Sequence, residues 1–126
     1  MYYGSCFCGA VRIEVRQLGP GYYCHCSRCR KASGSAFTAN AVVSPNDVAV
    51  TQGSDRLRSY RTADGISRSF CGDCGSPLLV RQGDQMRLRL GCLDTPIPSP
   101  ARHIFVGSKA NWYEIHDELP RYEERP

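Results

Sequence analysis

No stretch of this sequence approaches the ~18 consecutive apolar residues a membrane-crossing helix needs, which excludes a helical membrane protein. The opening Met1-Tyr2-Tyr3-Gly4-Ser5-Cys6 lacks the positive and then apolar segments of a secretory leader. The chain is therefore expected in the cytoplasm, where thiols stay reduced. Internal repeats are missing, and Gly and Pro leave few uninterrupted helical windows. Lysine is scarce: 2 of the 16 basic residues, the other 14 being arginine. The planar guanidinium fork suits carboxylates and phosphates, so this bias carries more information than the charge itself. The formal net charge is +4 with neutral cysteines. Seven thiolates and two dipositive ions would reduce it to +1, too small an excess to argue for nucleic acid. An apolar fraction of 41% excludes a disordered chain, and 126 residues fit one domain, 1–126.

What the sequence does contain is short alternating runs. Val11 to Arg16 and Met86 to Leu90 alternate apolar and polar residues, the period of a half-buried strand, with Cys92 continuing the apolar side of the second. Residues 39–43 and 47–51 read as strands around the turn Ser44-Pro45-Asn46. Residues 57–61 and 66–70 flank Ala63-Asp64-Gly65, a hairpin tip. Another strand is expected over 76–81, turning at Gln82-Gly83-Asp84. One short helix is expected at 27–33, ended by Gly34. Three prolines keep 95–100 out of any central strand, so it reads as a surface connector. His103 to Val106 and Trp112 to Ile115 read as segments docked on the core, and 123–126 as a frayed end. The expected class is mainly β with little helix.

Eight cysteines fall mostly into three clusters: Cys6-Phe7-Cys8, Cys24-His25-Cys26-Ser27-Arg28-Cys29 and Cys71-Gly72-Asp73-Cys74. Cysteines one or two residues apart meet disulfide geometry poorly but can point two sulfurs at one ion. A structural zinc site takes four ligands, usually from two short knuckles. Cys6 and Cys8, followed by Gly9, and Cys71 and Cys74, followed by Gly75, supply one such closed set. It would tie the start of the chain to its middle and carry a substantial part of the folding free energy. Cys24, Cys26 and Cys29 have no fourth cysteine nearby, and three protein ligands with one exchangeable corner is the catalytic pattern. The competing reading completes this set with Cys92, His25 or His103. His25, between two ligands, is expected to point away from their metal, and Cys92 to be a buried thiol.

These clusters resemble the GFA family, named for glutathione-dependent formaldehyde-activating enzyme and sharing its domain with centromere protein V. The resemblance rests on Ser5-Cys6-Phe7-Cys8-Gly9-Ala10-Val11, on Cys24 to Lys31 with Gly34, and on Phe70 to Leu78. It continues through Gly91-Cys92-Leu93-Asp94, His103-Ile104, Lys109-Ala110-Asn111-Trp112 and Asp117 to Pro120. It implies a small two-sheet β fold with two zinc ions per chain, one structural and one catalytic, divided among the cysteines as the spacing divides them. The implied chemistry is carbon–sulfur bond formation and cleavage, with glutathione and formaldehyde giving S-hydroxymethylglutathione.

Two functions follow as expectations. The first is a zinc-dependent carbon–sulfur lyase acting on a small thiol adduct, with glutathione the type of partner and Cys24, Cys26 and Cys29 the catalytic residues. Arg28, Arg30 and Lys31 could pair with substrate carboxylates or simply form a solvated turn. Tyr22 and Tyr23 could line a pocket or pack in the core. The second is a non-catalytic zinc module for a protein or nucleic-acid partner, with the arginines of 56–61 and 87–89 facing it. Both require metal: protein purified without chelator is expected to contain more than one equivalent of zinc per chain by elemental analysis, and one equivalent or none would refute the two-site division.

Overall fold

The computed structural model describes all 126 residues. In chain order they form β1 (Tyr2–Ser5), β2 (Arg12–Val15), β3 (Gly21–Cys24), α1 (Ser27–Ser33), β4 (Thr38–Val43), β5 (Val48–Gln52), β6 (Leu57–Arg61), β7 (Ile66–Cys71), β8 (Pro77–Gln82), β9 (Gln85–Arg89) and β10 (His103–Ile104). The mainly β class and the single short helix agree with the sequence pattern. Every alternating run became a strand within a residue or two. Three strands escaped that pattern: β1 and β3 are four residues long and rich in Tyr and Gly, and β10 spans two residues. No helix is long and apolar enough to cross a membrane.

The strands form two sheets, a three-stranded one ordered β1-β2-β5 and a seven-stranded one ordered β10-β3-β4-β9-β8-β7-β6. All pairings are antiparallel except β10 with β3. Alternation sends side chains of each strand to opposite faces, and residues directly opposite on paired strands share a face. Ala41, Leu88 and Leu79 are in register, as are Val43 and Met86. On this face β2 lays Ile13 and Val15, flanked by Val48 and Val50 of β5, so the two sheets meet over one apolar cluster. Ile13, Val15, Leu78 and Leu88 are at most 1% exposed. Burial at this level stabilises by roughly 1.5–3 kcal/mol per large aliphatic side chain.

The C-terminal third agrees with expectation in one segment and departs from it in another. The segment Trp112 to Ile115 docks through Tyr113, which packs against Phe37 and His25, whereas Trp112 itself is 70% exposed. The end of the chain is tied down rather than frayed. The Tyr122 amide donates to the His103 carbonyl, and Phe105 and Gly107 amides donate to the Glu124 and Glu123 carbonyls. The Arg125 guanidinium lies 5.4 Å from the centre of the Phe105 ring. Sequence polarity alone could not reveal these bonds, since they belong to the backbone. The proline-rich connector at 95–100 has no regular structure, as its missing donors require. Leu88→Ala, which empties a fully buried position between the sheets, is expected to cost about 2–5 kcal/mol in chemical denaturation; a loss below about 1 kcal/mol would mean that this interface is not the core.

Candidate metal centres

The first cluster is built where the two sheets meet. Cys6 and Cys8 lie in the turn between β1 and β2, Cys71 ends β7, and Cys74 lies in the turn between β7 and β8. Their four sulfurs lie within 4.8 Å of one another, with Cys6 and Cys8 at 3.6 Å and Cys8 and Cys71 at 3.8 Å. A disulfide would bring sulfurs to about 2.05 Å, and all eight cysteines are free. Tetrahedral corners at the Zn–S distance of ~2.3 Å stand ~3.8 Å apart, so the spacing fits such an ion. Gly9 and Gly75 close the two turns at φ of 80° and 81°, a region other residues reach at a cost. Their amides donate to the Cys6 and Cys71 carbonyls at 3.1 and 2.8 Å. The Val11 amide donates to Cys6 Sγ at 3.2 Å. Ser76 bridges the knuckles: its Oγ accepts from the Phe7 amide at 2.8 Å and touches Cys74 Sγ at 3.2 Å. That hydroxyl, with the Cys8 and Ser76 amides, pulls the Cys74 thiol down to about 5. Ser76 was not legible in the sequence as part of the cluster.

The second cluster stands at the end of β3. Cys24 ends the strand, Cys26 is the N-cap of α1 and Cys29 completes the first helical turn. Cys26 Sγ takes the place of a capping oxygen and accepts from the Cys29 amide at 3.3 Å. Gly34 ends the helix at φ 68°. The sulfurs of Cys24, Cys26 and Cys29 lie within 4.8 Å of one another, and no other Cys, His, Asp or Glu joins them. Contact with Cys24 and Cys26 draws the Cys29 thiol far below its usual range, and contact with Cys26 and Cys29 pushes Cys24 far above it.

The groups that could have completed this trio are elsewhere. Cys92 packs beside the core, and burial pushes its thiol up to about 12. His25 is fully buried and turned away: its Nε2 lies 2.8 Å from His103 Nδ1. His103 Nε2 faces both Asp117 oxygens at 3.0 and 3.1 Å. A carboxylate only accepts, so His103 carries its proton on Nε2 and His25 donates to Nδ1. Burial pushes His25 down to about 4, leaving it neutral. The chain of two histidines and Asp117 anchors the C-terminal segment behind the cysteine turn. Nothing in the sequence spacing announces it.

The three-cysteine cluster opens on a cavity of about 250 Å³. Strand register explains its floor, which is the sheet face opposite the core. Ile104, Cys24 and Thr38 are in line, as are Tyr22, Asn40 and Arg89, then Val42, Arg87, Val80 and Arg68. Phe105 and Arg125 of the tied-down tail form part of the wall. Phe105 holds φ at 57°, the one non-glycine residue in the left-handed region. Of the arginines singled out beside the cysteines, only Arg28 reaches the cavity, and Asp64 holds it at 2.8 and 3.1 Å. Arg30 and Lys31 do not line it. Tyr22 does both things considered for it, packing with Cys24 and Ile104 while lining the cavity. A larger surface depression, near Phe7 and Gly91, lies away from the three sulfurs.

A mainly β fold thus carries two cysteine clusters that could each hold a metal ion, one closed by four sulfurs and one open with three. The family profile described as glutathione-dependent formaldehyde-activating enzyme matches residues 1–108, and the chain belongs to that family. It is 32% identical over 124 residues to a Halomonas elongata protein provisionally named a glutathione-dependent formaldehyde-activating enzyme, covering 89% of this chain and 79% of the relative. Relatives with the same provisional name from Pyrenophora teres f. teres and Talaromyces marneffei are 33% and 36% identical. Each of those matches covers 60% of this chain and 42% of the relative, so the chain spans less than half of the fungal proteins. A crystal structure of a Rhodobacter sphaeroides protein has the same fold, with a TM-score of 0.64 at 26% identity, covering 76% of this chain and 91% of that one.

The two clusters are expected to respond differently to loss of one sulfur. Cys71→Ser should abolish most of the folding stability in thermal denaturation, because its cluster joins the sheets. Cys26→Ser should leave the melting transition within a few degrees of the parent while halving the bound metal. Equal losses of stability would contradict this division of labour.

Proposed function

We propose that this chain is an enzyme of its family's type, a zinc-dependent carbon–sulfur lyase acting on a small thiol adduct. Cys6, Cys8, Cys71 and Cys74 would hold a structural zinc, and Cys24, Cys26 and Cys29 a catalytic one. The observation that carries this reading is the contrast between the clusters: the four-sulfur set has no corner to spare, whereas the three-sulfur set faces a cavity. Zinc held by three thiolates supplies positive charge that keeps an incoming thiol ionised and nucleophilic at neutral pH. The names carried by the relatives suggest glutathione and formaldehyde as the reacting pair.

The protein's own groups divide the remaining work. Cys26, fixed by its capping bond, and Cys24, fixed by pairing with Thr38 and Ile104, keep two sulfurs in place without substrate. Tyr22, Val80, Ile104 and Phe105 give the cavity apolar walls that displace water from the reacting sulfur. In the forward direction the thiol loses its proton, sulfur forms a bond to the carbonyl carbon, and the carbonyl oxygen takes up a proton. No electrons are gained or lost, so no redox partner is needed.

A non-catalytic zinc module would instead hold both ions equally tightly, with no corner open to solutes. Cobalt-substituted protein distinguishes the two readings. Millimolar glutathione is expected to change the ligand-field spectrum of the cobalt bound at Cys24, Cys26 and Cys29 while leaving the four-sulfur site as it was. A spectrum indifferent to thiol would rule out thiol-binding catalysis here.

A further inference from the structure

The cavity beside Cys24, Cys26 and Cys29 carries more positive charge than the reaction proposed above requires. Five guanidinium groups line it, from Arg28, Arg68, Arg87, Arg89 and Arg125, and no aspartate or glutamate does. Asp64 neutralises Arg28 alone. The other four form no ion pair. Their partners are neutral or missing. Arg89, 8% exposed, donates from Nη1 to Asn40 Oδ1 at 2.7 Å. Asn40 is itself 2% exposed and donates to Thr38 Oγ1 at 2.8 Å. Arg87 donates to Gln85 Oε1 at 3.1 Å. Arg68 Nε is buried with no partner at all. Arg125 lies over the Phe105 ring.

Register makes this arrangement deliberate in the geometric sense. Arg68 and Arg87 both oppose Val80, and Arg89 follows Arg87 by two residues, so all three project from one face of three adjacent strands. Arg89 is buried, Arg68 and Arg87 are half-buried and Arg125 is exposed, so the cost of keeping a charge from water without a counter-charge falls on the first three, and guanidinium forks bind carboxylates and phosphates through two parallel bonds. Three thiolates around a dipositive ion leave one net negative charge, which offsets one arginine and leaves the rest uncompensated. Equally, no carboxylate in the cavity is available to receive a substrate ammonium.

We infer that the cavity selects thiols carrying at least two oxyanion groups and no free ammonium, with Arg68, Arg87 and Arg89 receiving the oxyanions. This inference rests on the thiol reading above and narrows it. The carbon–sulfur chemistry is retained, but the favoured thiol is a compact dianion of the mercaptosuccinate kind rather than glutathione, whose ammonium finds no partner here.

Calorimetric titration of zinc-replete protein tests the two parts separately. Mercaptosuccinate is expected to bind about tenfold more tightly than glutathione, the difference that one unmatched charged contact makes. Cysteamine, which has an ammonium and no oxyanion, should bind weakest. Succinate, which lacks sulfur, should still bind, and Arg68→Gln or Arg87→Gln should each weaken it about tenfold with zinc content unchanged. These two positions are preferred to the buried Arg89, whose loss could prevent folding. Inorganic phosphate competing more strongly than succinate, and weakened by the same substitutions, would assign these arginines to a phosphate-bearing thiol. Glutathione binding as tightly as mercaptosuccinate, or variants that bind succinate like the parent, would overturn the inference while leaving the carbon–sulfur reading intact. Conversely, tight succinate binding with a cobalt spectrum unmoved by any thiol would remove the thiol reading on which it rests.

Discussion

Four sulfurs drawn together from two turns stand at the junction on which the rest of the molecule depends. One turn belongs to the small sheet and the other to the large one, and Cys8 and Cys71 are 63 positions apart. The apolar cluster between the sheets is modest, with eight buried residues of which two are cysteines of that junction. A bound ion would therefore act as a cross-link between layers whose shared core is small. Its effect on the unfolded chain would be that of closing a long loop, where conformational restriction is greatest.

With the sheets fixed against each other, the outer face of the seven-stranded sheet becomes a platform. Alternation alone determines what it displays: apolar residues at one parity face the small sheet, and Tyr22, Asn40, Arg87 and Arg89 at the other parity face the cavity. The three-cysteine cluster sits where β3 gives way to α1, so its sulfurs border that platform rather than the core. Closed and open clusters thus arise from one distinction, whether a cysteine turn falls between the sheets or beyond them.

Much of this was legible in the residues. The spacing of seven cysteines separated them four and three, and the structure gathers their sulfurs into the same two groups. Alternating runs gave seven of the ten strands, and Gly34 marked the helix end. What could not be read depends on contacts between distant segments. β3 is too short and aromatic to show a period, and its place follows from pairing with β4 and β10. Arg68 and Arg125 come to the cavity from positions 57 residues apart, with no local signal joining them. The histidine pair closes over 78 residues and became visible only when β10 was laid parallel to β3. Trp112 shows the opposite error, since a large aromatic residue suggests burial and here it stands in solvent.

Phe105 illustrates a conflict between local comfort and placement. Its backbone occupies a conformation that costs a residue with a β-carbon roughly 1–3 kcal/mol, yet its ring supports Arg125 and closes one side of the cavity. Glycine would relax the main chain at this point and dissolve the wall in the same stroke. The left-handed kink therefore marks a residue held for the shape it gives the cavity, at the expense of the ease with which the chain turns there.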